Sequence, residues 1–350
     1  MNSDVRPLPL EGSAHFPVVL APMVGLSHIG LRLLVRHYWP QDGKAFFPTE
    51  MLNSRRLPNE KVGATPETFR SDEEVDLCPQ ILGNEPGPIA KSIEVLEDWG
   101  AVAVDINMGC PVQKALRHNY GVALMGDVDY AGRVTEMATK VARVPVSVKL
   151  RAGHQNDLEF LAKFVQRLEE AGAAWLTMHP RTAEQKRRGQ ADWSQIKFVR
   201  DQVKVPVIGN GDVQTAGDVQ RMLTETTCDA VMVGRALTAR PWLVWQVGED
   251  LGFDPPAAMV GRRAPRTPLE EGREMGEALK LLTQIMAEYF PENLGIRKLM
   301  FYIRTCNPWL VFGQHLFALC SRAKTYPQFL EAIDIFFSQE QAMMEKTDLR

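Results

Sequence analysis

Along the first 250 residues, short apolar runs alternate with longer stretches in which apolar residues recur at helical spacing. The runs at residues 17–21, 45–48, 77–82, 102–106, 146–150, 174–178, 207–209 and 230–233 are rich in Val, Ile and Leu without polar alternation. Strands buried on both faces of a parallel sheet read this way. Between them, residues 89–99, 130–141, 158–171 and 216–224 predict helices. Trp99-Gly100-Ala101 and Ala171-Gly172-Ala173 put glycine where a helix stops before the next strand, as C-capping requires. Val144-Pro145-Val146 and Val205-Pro206-Val207 open strands in the same manner. Eight strands with helical crossovers in about 240 residues predict an α/β fold, a (β/α)8 TIM barrel. An open doubly wound sheet is the alternative. It would place a Gly-x-Gly-x-x-Gly turn after the first strand, where this chain has Ala21-Pro22-Met23-Val24-Gly25.

The texture changes at residues 253–268, where Pro, Arg and Gly crowd together. Beyond that point the period is helical throughout. Leu279, Leu282, Ile285 and Met286 form one stripe, and further helices are expected at 294–304, 314–323 and 326–337. The predicted organisation is a barrel over 1–252, a linker over 253–268 and a small helical domain over 269–350.

Composition narrows the class. The chain is 45% hydrophobic and 24% charged, which excludes a disordered chain. No uncharged apolar run approaches the roughly 18 residues of a membrane span, and the first residues lack an export pattern. The five cysteines form no Cys-x-x-Cys pair, so reduced thiols, a cytoplasmic location and no metal site are expected. A monomer is also expected. From Pro255 onward 12 Lys/Arg stand against 11 Asp/Glu, whereas the first 254 residues carry 28 against 32. No acidic residue occurs from Asn293 to Leu330, yet Arg297, Lys298, Arg304, Arg322 and Lys324 all do. Such a window is either a solvated face or the footprint of a polyanion.

A barrel enzyme carries its chemistry at the C-terminal ends of its strands, and polar residues gather at those points here. They are Met23, Gln80, Asn107, Cys110, Lys149, Arg151, His179, Arg181, Asn210-Gly211-Asp212 and Gly234-Arg235. The glycines after the last two strands leave backbone N–H groups open to a phosphate, with Arg235 able to pair with it. Lys149 could form a Schiff base, sit by the electron-rich edge of a cofactor, or emerge to solvent. His179 could be structural or donate to a ring carbonyl. Cys110 follows a glycine and precedes a proline in an active-face loop, where a thiol can donate a proton as well as attack. The other four cysteines read as small buried hydrophobes.

Taken in order, Ala21-Pro-Met23, Asp105-Ile-Asn-Met-Gly-Cys-Pro111, Ser147-Val-Lys-Leu-Arg151, Met178-His-Pro-Arg-Thr182, Gly189-Gln-Ala-Asp-Trp193, Gly209-Asn-Gly-Asp212 and Val233-Gly-Arg235 resemble the motifs of the tRNA-dihydrouridine synthases. The resemblance runs from about residue 18 to 245, and the helical tail fits that family's RNA-binding domain. It implies an FMN enzyme that reduces the 5,6-double bond of a uridine in tRNA, with NADPH as reductant. It further implies that Pro22, Met23, Val24, Gln80, Lys149, His179, Asn210, Gly211, Asp212, Gly234 and Arg235 hold FMN, that Cys110 donates the proton and that Asn107 lies near the uracil. Arg151, Arg181, Lys186, Arg187, Arg188, Arg297, Lys298 and Arg304 are expected to meet the tRNA. Two segments depart from the pattern. Lys186-Arg187-Arg188 precede Gly189 where an aromatic residue is common, and Tyr120-Gly-Val-Ala-Leu-Met125 replaces a stretch of smaller residues. Rival readings are a flavin barrel acting on a free pyrimidine-like molecule and an RNA-binding protein without catalysis.

Overall fold

The computed structural model describes residues 5–10, 15–112 and 117–348. The chain runs β1 (Val18–Leu20), α1 (Ile29–His37), β2 (Phe47–Asn53), β3 (Leu77–Leu82), α2 (Pro86–Asp98), β4 (Val104–Met108), α3 (Val128–Val141) and β5 (Val146–Arg151). It continues through α4 (Leu158–Glu170), β6 (Leu176–His179), α5 (Ser194–Gln202), β7 (Val207–Asn210), α6 (Ala216–Thr226) and β8 (Ala230–Val233). The ladder order is β1-β8-β7-β6-β5-β4-β3-β2, every pair parallel. β1 touches β2 and nearly closes the barrel. The open-sheet alternative therefore falls.

Local chemistry explains the helix limits. The Asp127 and Asp157 carboxylates cap α3 and α4, and Thr215 with Asp218 forms a capping box on α6. Gly100 and Gly172 take positive φ at the ends of α2 and α4, as the sequence predicts. Two expectations need correction. The crossover from β2 to β3 is not an α-helix but turns around a 3-10 segment at Leu57–Asn59; Pro58, Gly63 and Pro66 deny it a helical run. Second, β2 does not stop at Pro48 but continues to Asn53 through an irregularity between Pro48 and Met51. Its polar extension is buried by tertiary contacts, a gain that an apolar-run criterion cannot register.

Apolar residues facing out of the barrel, such as Val104, Ile106, Val148 and Leu150, pack in one core with the helices. The lumen has a second core of Val19, Cys78, Ala103, Trp175, Ile208 and Ala230. Above that layer the inward residues of β3, β4 and β5 turn polar, which opens a site at the strand ends.

After β8 come α7 (Arg235–Ala239) and α8 (Leu243–Leu251), then a loop with a 3-10 turn at Ala257–Met259. The remaining helices are α9 (Pro268–Tyr289), α10 (Glu292–Cys306), α11 (Gly313–Cys320) and α12 (Tyr326–Phe337). They join the same core as the outer barrel face, with Leu279, Leu282 and Met286 inside it. Buried ion pairs and hydrogen bonds cross the junction: Arg240 to Glu271 and Tyr38 to Glu274. Among the described residues, no helix is long and apolar enough to cross a membrane.

Candidate active site

Register stacks the inward side chains in layers. Gln80, Asp105 and Ser147 are neighbours on β3, β4 and β5, and Asn107 and Lys149 lie one step nearer the mouth. Arg151 and His179 follow on β5 and β6. In the lower layer, Gln80 Nε2 donates to Asp105 Oδ2 at 2.7 Å and the Ser147 hydroxyl donates to Asp105 Oδ1 at 2.6 Å. Asn107 Nδ2 donates to Gln80 Oε1 at 2.8 Å. The other end of the same amide, Asn107 Oδ1, accepts from the backbone N–H of Gly109 (3.1 Å) and of Cys110 (2.9 Å).

That turn presents Cys110, which is half-buried beside Met51, Leu82 and Tyr120. Gly121 sits against it at φ +63°, and a Cβ there would lie 2.5 Å from the Cys110 carbonyl oxygen and 2.9 Å from its Cβ. Only glycine fits that approach. The other four cysteines are buried, and burial pushes the Cys228 and Cys320 thiols up to about 11 and about 12. They are the small hydrophobes that the sequence suggested.

The site is strongly cationic. Burial, aided by Arg151, brings the Lys149 ammonium down to about 8, and among the described residues it makes no hydrogen bond. Burial also holds His179 well below the usual imidazole range, reinforced by Lys149, Arg151, Arg181 and Arg235; its ring is neutral. Desolvation likewise lowers Arg235. A half-buried ammonium without a hydrogen-bonding partner among the described residues, ringed by further cations, suits an electron-rich or anionic group. The donor set thus fits a flavin phosphate and ring edge.

Four expected contact residues, Arg151, Arg181, Asn210 and Asp212, are engaged by the protein itself. Arg181 makes a two-pronged pair with Asp212 (2.7 and 2.8 Å) and donates to the Gly189 carbonyl (2.6 Å). Asp212 also accepts from Ala191 N at 2.7 Å. The pair thereby pins the 188–191 segment to the turn after β7, where Gly211 takes φ +126° against the His179 ring. Arg151 donates to the carbonyls of Gly109 (2.7 Å), Lys186 (3.0 Å) and Thr182 (3.3 Å), tying the Cys110 turn to the β6 loop. Asn210 Nδ2 is likewise engaged by the Met232 carbonyl. Pro22 and Met23 are half-buried, and Val24 is exposed beside them; Met23 abuts Gly234.

Lys186, Arg187 and Arg188 are exposed in the β6 loop. Arg297 and Arg304 are exposed on α10, as are Arg322 and Lys324 further on. Lys298 departs from that group, because it is only 14% exposed and pairs with the buried Glu50 at 3.2 Å. The second Glu50 oxygen accepts from Gly25 N at 2.6 Å. Lys298 is thus a clamp between α10, the end of β2 and the β1 loop. One turn on, Phe301 leans over Gly25 with 43% of its surface exposed. The sequence reading assigned no role to Asp105, Ser147, Gly121, Glu50 or Phe301. The period-2 spacing of Asp105, Asn107, Ser147, Lys149 and Arg151 was a signal for the first two.

The sequence matches the family described as Dihydrouridine synthase (Dus) over residues 19–292. A protein of Rickettsia bellii named "Probable tRNA-dihydrouridine synthase" is 34% identical over 280 residues, covering 80% of this chain and 82% of its own. One of the same name from Rhizobium leguminosarum bv. phaseoli is 37% identical over 228 residues, covering 64% of this chain and 69% of its own. Another from Mycobacterium tuberculosis is 32% identical over 312 residues, 85% of this chain and 75% of its own. The chain belongs to the dihydrouridine synthase family.

Proposed function

We propose that this oxidoreductase reduces the C5–C6 double bond of a uridine in tRNA, with FMN as its resident cofactor and NADPH as reductant. One observation carries the reading: the Cys110 thiol is held on a turn anchored by Asn107, whose neighbour across β4 and β5 is the half-buried Lys149. FMN would be held by Pro22, Met23, Val24, Gln80, Lys149 and His179. Asn210, Gly211, Gly234 and Arg235 would take its phosphate, with Asp212 orienting Arg181 behind that turn. When bound and reduced, the flavin supplies a hydride for C6 of the uracil. Cys110 then gives its Sγ proton to C5, where charge develops, and recovers a proton from solvent. Asn107, whose Nδ2 has a second N–H beyond the one given to Gln80, would orient the uracil edge. Lys149 would stabilise negative charge on the flavin edge.

The helical segment 269–350, joined to the barrel through 253–268, would hold the tRNA together with the barrel rim. Its exposed Arg297, Arg304, Arg322 and Lys324, and Lys186, Arg187 and Arg188 on the rim, would meet phosphates. Arg297, Phe301 and Arg304 share one face of α10, so an aromatic ring stands between two cations beside the β1 loop. The test is to map dihydrouridine in tRNA from cells with and without the gene, and to identify the flavin released by denaturing the protein. Loss of a dihydrouridine and release of FMN are expected. A colourless protein with an unchanged dihydrouridine pattern overturns the reading.

A further inference from the structure

Asp105, buried and away from the mouth, lies three hydrogen bonds from the Cys110 turn. The bonds have a direction. Burial raises the Asp105 carboxyl above its ordinary range, against hydrogen bonds from Gln80 and Ser147 that favour the charged form; both of its oxygens accept, so Gln80 turns its Nε2 toward Asp105 (2.7 Å). That leaves Gln80 Oε1 facing Asn107, which must therefore donate with Nδ2 (2.8 Å). Asn107 Oδ1 is then the atom left to accept from Gly109 N and Cys110 N. Reversing either amide would set donor against donor, at Gln80 and Asn107 or at the Cys110 turn. Ser147 donates to the remaining Asp105 oxygen at 2.6 Å. Lys149, Arg151 and Cys110 are the charged and titratable groups at the next layers.

We infer that Asp105 is a positioning residue, whose acceptor-only side chain sets the direction of the Gln80–Asn107 amide chain and so the presentation of the Cys110 thiol. Asp105 touches no reacting atom. For the role in proton donation the inference rests on the proposed reaction. The alignment of the turn stands apart from it and is read out separately.

The experiment uses the full chain and follows alkylation of Cys110 by iodoacetamide, the other four cysteines being buried. In Asp105→Ala a water in the space can donate or accept, so neither amide orientation is enforced. Alkylation is expected to speed up several-fold as the turn loosens. Oxidation of the reduced flavin by tRNA is expected to slow roughly 10- to 100-fold, the scale of a misplaced reacting group, with the KM for tRNA unchanged. Asp105→Asn keeps an acceptor for Gln80, with its amide nitrogen toward the Ser147 hydroxyl, and should stay near the parent in both. Adding Gln80→Glu to Asp105→Ala makes residue 80 an acceptor only, forces Asn107 to donate, and should return alkylation to the parent rate. If Asp105→Ala does not fold, Gln80→Met is measured instead. It removes the link between Asp105 and Asn107 and should speed alkylation several-fold, and parent alkylation in it overturns the inference.

Parent alkylation in Asp105→Ala, equal damage from Asp105→Asn, or no recovery on adding Gln80→Glu overturns the inference. If the unaltered protein fails to oxidise its flavin with tRNA, the proposed reaction falls, while the alkylation cycle still decides whether Asp105 aligns the turn.

Discussion

In the proposed reaction Cys110 and Lys149 divide the chemistry, and each makes a separate prediction. Cys110→Ala removes a proton donor but no contact that holds the fold. NADPH should still bleach the flavin at a near-parent rate, while oxidation by tRNA slows by about 100-fold or more. Stopped-flow absorbance measures both halves, and equal tRNA-driven oxidation in parent and variant would leave Cys110 a structural thiol. Lys149 is charged below its value of about 8 and neutral above it. An anionic group gains from the charged form, so FMN affinity should fall as pH rises from 7 to 9, and Lys149→Met should bind FMN weakly without that step. The sign for folding is opposite. Below pH 8 the ligand-free protein buries a charge that the unfolded chain would hydrate, so its stability should rise from pH 8 toward 10.5. Denaturant titrations at several pH values check it, and a fall over that interval would mean that Lys149 is already paired.

At the level of elements, α10 carries two kinds of cation that sequence cannot tell apart. Lys298 and Arg297 are adjacent, yet Lys298 points at Glu50 while Arg297 is exposed. Removing one partner from a buried pair strands the other charge. Lys298→Met should therefore cost roughly 1–3 kcal/mol, less than a fully dry pair because the ammonium keeps some water. Its melting temperature should fall while the salt dependence of tRNA binding stays as in the parent. A lowered salt slope at unchanged melting temperature would instead make Lys298 a phosphate contact. β2 teaches the same lesson: Thr49 and Glu50 hide a strand from any apolar-run reading, because tertiary partners rather than apolar character bury them.

For the whole molecule, the proposed function implies a binding surface shared by two separate parts of the chain. The rim cations 186–188 and the α10 face that bears Arg297 and Arg304 are over 100 residues apart in sequence, and tRNA should be held by both. Each lost phosphate contact lowers the slope of log affinity against log salt by about one unit. Arg297→Ala and a triple alanine variant at 186–188 should each flatten that slope, with flavin reduction by NADPH unaffected. Filter binding across a salt series measures it, and parent slopes in both would place the RNA elsewhere.

Much of this was determined by sequence alone. Eight apolar runs with helices between them sufficed for the barrel, because each strand must bury its outward face and each helix one stripe, and those demands are written as local periodicity. The glycines at 100 and 172 marked helix ends for a reason internal to the backbone. The Gly-Cys-Pro turn and the lysine at a strand end marked the mouth. Tertiary structure alone decided which polar residues face one another. Arg181 finds Asp212, Lys298 finds Glu50, and Asp105 finds Gln80 and Ser147, across 31, 248, 25 and 42 positions of chain. A hydrogen bond depends on distances of tenths of an ångström between such groups, and no local pattern records it; only the closing of the barrel brings them within reach.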